Sequence, residues 1–354
     1  MYLIKKSQVL DIAKELQKEY QVYGPVIEKE TKQTMYVKVD DIGELDLNAP
    51  IPAIPAKHVV FPHFERIMSY AYDRKNKKVD IKPDFDDSAK AYFGMRSCDL
   101  NGILCLDRFF LGQEYVDDVY KNHRKKMFIV TNTCNTPFKQ CFCVCTDSGP
   151  SAREGYDLNL TSLGEQYLVE AGSDKGKKLA EKLGLAKADD SHKKQKDAIV
   201  DKSITSFDTI ATDNKAWISR VVNRVTTGLI DEKVWEFIGN QCIECGACTF
   251  VCPSCSCFNI VDPVSRPDAA DRMRTWDSCA YEGYTRMAGG HNPRKPVEDR
   301  RNKRFFCKLS YSQSKKYLRP GCVGCGRCQW VCPGDIGLPN VVTYIRREIQ
   351  KIGG

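Results

Sequence analysis

The chain has 354 residues, 42% hydrophobic and 28% charged, with a formal net charge of +8. That balance excludes a disordered polymer, and no apolar run reaches the roughly 18 residues a membrane helix needs, so no direct membrane insertion is expected. The opening Met1-Tyr2-Leu3-Ile4-Lys5-Lys6 lacks the apolar stretch and small-residue cleavage site of a secretory signal, which predicts a cytoplasmic protein.

Ser7 is expected to cap a helix whose apolar stripe is Val9, Ile12, Ala13, Leu16 and Tyr20. Gly24-Pro25 is expected to break the chain, and Met35, Val37 and Val39 alternate as a short strand. Pro50-Ile-Pro-Ala-Ile-Pro55 suits a rigid connector rather than a helix. From Ala91 to Val130 the pattern is β-α-β: Ala91–Met95 a strand, Leu100, Ile103, Leu104 and Phe110 a crossover helix, and Met127–Val130 a parallel neighbour. The Lys-rich stretch 172–202 predicts exposed helices and loops. Ile230, Val234, Phe237 and Ile238 form a helical stripe that Gly239-Asn240 should end. Met273, Trp276, Ala280, Tyr284 and Met287 fit one helical face, and Pro339 suits the first turn of a helix bearing Val341, Ile345 and Ile349.

Eighteen cysteines need an explanation, because a disulfide framework is not expected in a reducing compartment. Eight fall into two copies of one pattern. Cys242-Ile-Glu-Cys245-Gly-Ala-Cys248-Thr-Phe-Val-Cys252-Pro253 and Cys322-Val-Gly-Cys325-Gly-Arg-Cys328-Gln-Trp-Val-Cys332-Pro333 both read C-x2-C-x2-C-x3-C-P, the run that holds [4Fe–4S] clusters in bacterial-type ferredoxins. Three thiolates on one tight loop reach three corners of a cubane, and Gly246 and Gly326 let the backbone curl close to it. In two-cluster ferredoxins the fourth cysteine of each run serves the other cluster. The first cluster is therefore assigned to Cys242, Cys245, Cys248 and Cys332, and the second to Cys322, Cys325, Cys328 and Cys252. Zinc fits two complete runs poorly, since it favours separated C-x2-C pairs around one ion. The two halves together predict an α/β domain over 1–230, followed by a mainly α-helical two-cluster ferredoxin domain over 231–354.

A third site is legible in outline. Cys98 follows the first strand of the β-α-β unit and Cys134 follows the second, so both belong at the C-terminal edge of the sheet, where ligand sites form. Cys141 and Cys143 lie in the same loop after the second strand. These four thiols suit a third Fe–S cluster, zinc, or buried packing without metal. Cys105, inside the crossover helix, suits packing, as do Cys255, Cys257, Cys279 and Cys307. His291, in a Gly-His-Asn-Pro loop, is read as an ordinary loop residue rather than a cluster or partner contact.

No phosphate-binding loop appears, no glycine-rich dinucleotide fingerprint follows a strand, and no Ser-His-Asp or paired-carboxylate arrangement can be argued, so no catalytic residue is expected. A [4Fe–4S]2+ cube with four thiolates carries about −2, so two clusters reduce the net charge to about +4 and three to about +2. The basic segment Arg294–Arg304 is a candidate docking patch for an acidic partner; nucleic acid is disfavoured, since no binding motif accompanies the charge.

Several further pieces carry a resemblance: Val22-Tyr23-Gly24-Pro25-Val26, Gly94-Met-Arg-Ser-Cys98-Asp99, Asn132-Thr-Cys134 through Cys141-Phe-Cys143, Cys252-Pro-Ser-Cys255-Ser-Cys257-Phe258, Trp276-Asp-Ser-Cys279 and Gly290-His291-Asn292. With them the chain resembles the iron–sulfur β subunits of soluble [NiFe] sulfhydrogenases and the related A subunits of anaerobic sulfite reductases. The resemblance implies an anaerobic electron-transfer subunit working between a flavin/NAD(P)-binding subunit and a catalytic subunit such as a [NiFe] hydrogenase or sulfite reductase. It also favours a third cluster, because Cys98, Cys134, Cys141 and Cys143 are family-like positions. Cys105, Cys145 and Cys307 depart from the family pattern. Two rival readings stand beside it. A redox sensor would need a labile cluster and an output domain, and no helix-turn-helix is seen. A complete enzyme would need an open iron site, which twelve well-placed cysteines argue against.

Overall fold

The computed structural model describes residues 1–207 and 215–352. The chain opens with β1 (Tyr2–Lys5), α1 (Asp11–Gln17), β2 (Gln21–Ile27) and β3 (Thr34–Lys38). The short α2 (Lys57–Val60) leads into a hairpin of β4 (Phe64–Asp73) and β5 (Lys78–Pro83). The expected β-α-β unit follows as β6 (Lys90–Arg96), α3 (Ser97–Phe110), α4 (Asp118–Lys125) and β7 (Met127–Asn132), with β6 and β7 parallel neighbours. Then come β8 (Leu158–Ser162), β9 (Gln166–Ala171), α5 (Asp174–Lys182), β10 (Ala186–Lys187) and α6 (Asp190–Thr205). Together they build a mixed eight-stranded sheet of order β10-β1-β9-β8-β7-β6-β2-β3.

The central strands are apolar on both faces, as strands covered on both sides must be. Ala91, Phe93, Phe128 and Val130 face a core shared with α1 and α5. Tyr92, Met95, Met127 and Ile129 face the opposite core, built with α3 and Tyr120 of α4. Because β2, β6, β7 and β8 run parallel, the loops after β6 and β7 leave from one edge of the sheet.

Two local expectations differ from the structure. Ser7 lies in a 3-10 turn, and α1 begins after Leu10 with no side-chain cap. Gly24-Pro25 lies inside β2 instead of ending it. The Pro25 carbonyl accepts from the Asp46 N–H at 2.9 Å, so its ring nitrogen faces the same side, where β2 has already parted from β6 at Tyr23. A missing N–H costs nothing there.

The C-terminal part contains α7 (Lys215–Thr227), α8 (Glu232–Asn240), α9 (Ala247–Phe250), β11 (Phe258–Val261), β12 (Val264–Arg266), β13 (Ala269–Trp276), α10 (Val297–Leu309), α11 (Tyr311–Tyr317), α12 (Arg327–Trp330) and α13 (Leu338–Ile352). Helices α7, α8, α10 and α13 close a core around Val221, Ile238, Phe305 and Val341. The expected mainly helical C-terminal domain is nevertheless wrong. Residues 258–276 form three strands, and β11, β12 and β13 join β4 and β5 in a five-stranded sheet. The helical face read through Met273 and Trp276 is therefore a strand. Its buried positions alternate as Ala270, Arg274 and Trp276, and the buried Arg274 hides the period of two. That guanidinium is held by Glu65 of β4, with an Nε bond of 2.8 Å, and by Asp117. Among the described residues no helix is long and apolar enough to cross a membrane.

Candidate metal centres

The two cysteine runs fold alike, and their glycines explain why. Gly246 and Gly326 cap the short helices α9 and α12 at φ 73 and 75, a left-handed conformation that Gly adopts without penalty. Two residues earlier, Glu244 and Gly324 are also left-handed, at φ 57 and 62. This curl turns backbone N–H groups inward: Glu244 N donates to Cys242 Sγ at 3.4 Å and Gly324 N to Cys322 Sγ at 3.3 Å. Leu338 N donates to Cys328 Sγ at 3.4 Å. Such bonds favour the thiolate that a metal requires.

The fourth cysteine of each run sits beside the other run. Cys242, Cys245, Cys248 and Cys332 line one tight pocket of about 20 Å³. Cys252 instead neighbours Cys322, Cys325 and Cys328. Burial pushes the Cys322 thiol well above its usual range and Cys325 up to about 12. A bond from the Cys255 thiol, aided by Lys308, Arg304 and Lys57, pulls Cys252 well below it against the cost of burial.

Four buried cations surround these sulfurs: Lys57, Arg301, Arg304 and Lys308. None has a carboxylate partner among the described residues, and Arg301 Nε and Nη2 and Arg304 Nη1 are buried without any hydrogen bond. Buried positive charge without a counterion is costly, so anionic thiolate-bound clusters at these sulfurs fit this shell. Sequence reading missed it. The segment Arg294–Arg304, expected to be a docking patch, instead buries Arg300, Arg301 and Arg304. The signal was present, since Arg301, Arg304 and Lys308 fall at the i, i+3, i+7 spacing of an inward helix face.

The third set comes together as expected from the sheet. Cys98 stands in the first turn of α3 after β6, Cys134 follows β7, and Cys141 and Cys143 lie in the next loop. All four line a cavity of about 260 Å³. Arg96 Nη1 lies 3.8 Å from Cys134 Sγ. Burial raises the thiols of Cys98 and Cys143 well above their usual range and Cys141 to about 12. Among the described residues, no three His, Cys, Asp or Glu side chains stand close enough to share one metal ion. Cys105 packs apart from the cavity, 3.7 Å from the Pro320 carbonyl. His291 is exposed in its loop. None of the eighteen cysteines is in a disulfide.

This set interlocks with the second run. Cys98 and Cys325 pack in one apolar cluster with Ile51 and Val323. Phe142 N donates to Gly324 O at 2.8 Å, and a side chain at Gly324 or Gly326 would press within 2.6 Å of Cys143 Cα or 2.4 Å of Gln140 O. Arg327, next to Cys328, forms two 2.8 Å bonds to Asp99, next to Cys98, and both side chains are buried.

Residues 241–336 match the family model of a 4Fe-4S dicluster domain. The chain is 30% identical over 336 residues, 93% of each protein, to sulfhydrogenase 2 subunit beta of Pyrococcus furiosus. No solved structure matches it. Doubled four-cysteine runs, a dicluster domain around them and similarity along nearly the whole length show that the chain belongs to the family of sulfhydrogenase beta subunits.

Proposed function

We propose that this chain is the electron-transfer subunit of a cytoplasmic multi-subunit oxidoreductase, relaying single electrons between a flavin/NAD(P)-binding subunit and a catalytic subunit of the [NiFe] hydrogenase or sulfite reductase kind. The observation that carries the reading is the succession of three neighbouring cysteine sets. Cys98 packs on Cys325, and Arg304 faces both Cys328 of the second set and Cys248 of the first. In this reading Cys242, Cys245, Cys248 and Cys332 hold one [4Fe–4S] cluster, and Cys322, Cys325, Cys328 and Cys252 hold another. Cys98, Cys134, Cys141 and Cys143 hold a third. Four sulfurs set around a cavity of about 260 Å³ leave room for a multi-iron cluster there. The N-terminal domain, 1–230, then carries the third cluster and the C-terminal domain, 231–354, the other two. Eighteen cysteines with no disulfide among them suit a reducing compartment.

The clusters supply one-electron steps, so a two-electron donor requires a flavin on a partner. Gel filtration under nitrogen tests the reading: the chain is expected to co-elute with flavin-binding and catalytic subunits. The isolated chain is expected to accept electrons from dithionite but not to oxidise NAD(P)H. Robust NAD(P)H-dependent dye reduction by the pure chain would overturn it.

A further inference from the structure

Six cysteines lie outside the three sets: Cys105, Cys145, Cys255, Cys257, Cys279 and Cys307. Two of them form a pair. β11 and β13 run antiparallel with Phe258 opposite Trp276, and beyond that pair Asp277 N donates to Cys257 O at 3.0 Å. The ladder thus brings the approach to β11 alongside the exit from β13, and the thiols of Cys257 and Cys279 share a hydrogen bond. Thiols within reach of one another on two backbones that a ladder holds side by side are placed to form a disulfide.

Each sulfur has a second neighbour. The Tyr284 hydroxyl bonds to Cys257, and Tyr284 is 36% exposed, so it links the pair to solvent. On the other side, Thr249 Oγ1 lies 4.0 Å from Cys279 Sγ and accepts from Ser278 Oγ at 3.0 Å. Thr249 adjoins Cys248, and Ala280, next to Cys279, lines the pocket of Cys242, Cys245, Cys248 and Cys332. The guanidinium groups of Arg304 and Arg301 face Cys279, as they face the cluster ligands. The pair therefore lies one residue from the first set. Among the described residues no third His, Cys, Asp or Glu converges on it to hold a metal ion.

We propose that Cys257 and Cys279 form a dithiol/disulfide couple that exchanges electrons with the cluster on Cys242, Cys245, Cys248 and Cys332, an inference that rests on that cluster assignment. In oxidation the two S–H bonds break and one S–S bond forms. Two protons leave, one by way of the Tyr284 hydroxyl, and two electrons pass singly to the cluster and on to the next acceptor. Reduction reverses each step, with the cluster delivering two electrons in turn and solvent returning two protons. The pair is a two-electron reservoir beside one-electron carriers, matching the two-electron chemistry of a flavin or hydride partner.

The test uses the full chain with its iron, oxidised anaerobically with the dye thionine. Peptide mapping after alkylation is expected to show a Cys257–Cys279 crosslink. Reductive titration with reduced methyl viologen is expected to consume two more electrons in the wild-type chain than in the C257S/C279S variant at equal iron content. Alkylation of both residues as free thiols after oxidation would overturn the proposal, as would equal electron counts. Loss of iron in the variant would also overturn it, making the pair cluster ligands or supports. Iron content of the wild-type chain separately reports whether the cluster assignment itself fails.

Discussion

Asp99→Asn probes the joint between the third cysteine set and the second. The carboxylate receives two 2.8 Å bonds from the Arg327 guanidinium, and the two side chains are 2% and 0% exposed. Burial alone would lower the Arg327 pKa, and Asp99 more than reverses this, holding it above its usual value. Asparagine keeps the shape and one acceptor oxygen but removes the charge and turns the second acceptor into a donor, leaving a buried guanidinium with only neutral carbonyl acceptors, the asparagine's own and that of Pro52, 2.7 Å from Nε. Breaking a buried pair from one side costs about 3–5 kcal/mol. For 354 residues, an unfolding entropy of about 2.1 cal/mol/K per residue converts that loss to a fall in Tm of about 4–7 °C. Anaerobic scanning calorimetry at one fixed scan rate is the assay. The double variant Asp99→Asn with Arg327→Met is expected to recover much of the loss, because an apolar replacement of both partners leaves no orphaned charge. A Tm change below about 1 °C for Asp99→Asn, or a double variant as damaged as the two single losses added together, would refute the reasoning.

Crossed ligation predicts that Cys332→Ala alters the EPR signal of the cluster on Cys242, Cys245 and Cys248; damage confined to the cluster on Cys322, Cys325 and Cys328 would contradict it. Gly326→Ala should cost at least the roughly 1–2 kcal/mol of a left-handed residue, since φ is 75 and the new Cβ would stand 2.4 Å from Gln140 O. Its thermal midpoint should fall further than that of Gly164→Ala, whose Cβ meets nothing within 4 Å. Arg304→Met removes a buried positive charge facing Cys248, Cys252 and Cys328, so potentiometric EPR should show cluster potentials moved to more negative values. Unchanged potentials would mean that the charge is screened from the irons.

The sequence carried the chemistry further than the architecture. Spacing alone grouped Cys242, Cys245 and Cys248, and the precedent of crossed ligands paired them with Cys332, which the structure places in the same pocket. The third set was legible because β6 and β7 are parallel neighbours, so Cys98 and Cys134 had to leave from one edge. The second sheet was not legible. Its period of two runs through Arg274, whose burial depends on Glu65 and Asp117, both remote in sequence. A buried arginine reads as a surface residue until its partners are known. The same blindness turned the inward cations of α10 into an expected docking patch. Pro25 misled in the opposite sense, because a proline is harmless in a strand whose neighbour has already departed.

The central claim is that twelve cysteines hold three [4Fe–4S] clusters. Mössbauer spectroscopy of the full chain, enriched in iron-57 and kept anaerobic, with iron and acid-labile sulfide analysis on the same sample, tests it most directly. Three clusters require about twelve irons and twelve sulfides per chain, all in [4Fe–4S] form. Fewer than about eight irons would contradict even the two ferredoxin-type sites, and about eight irons with one zinc ion would contradict the third.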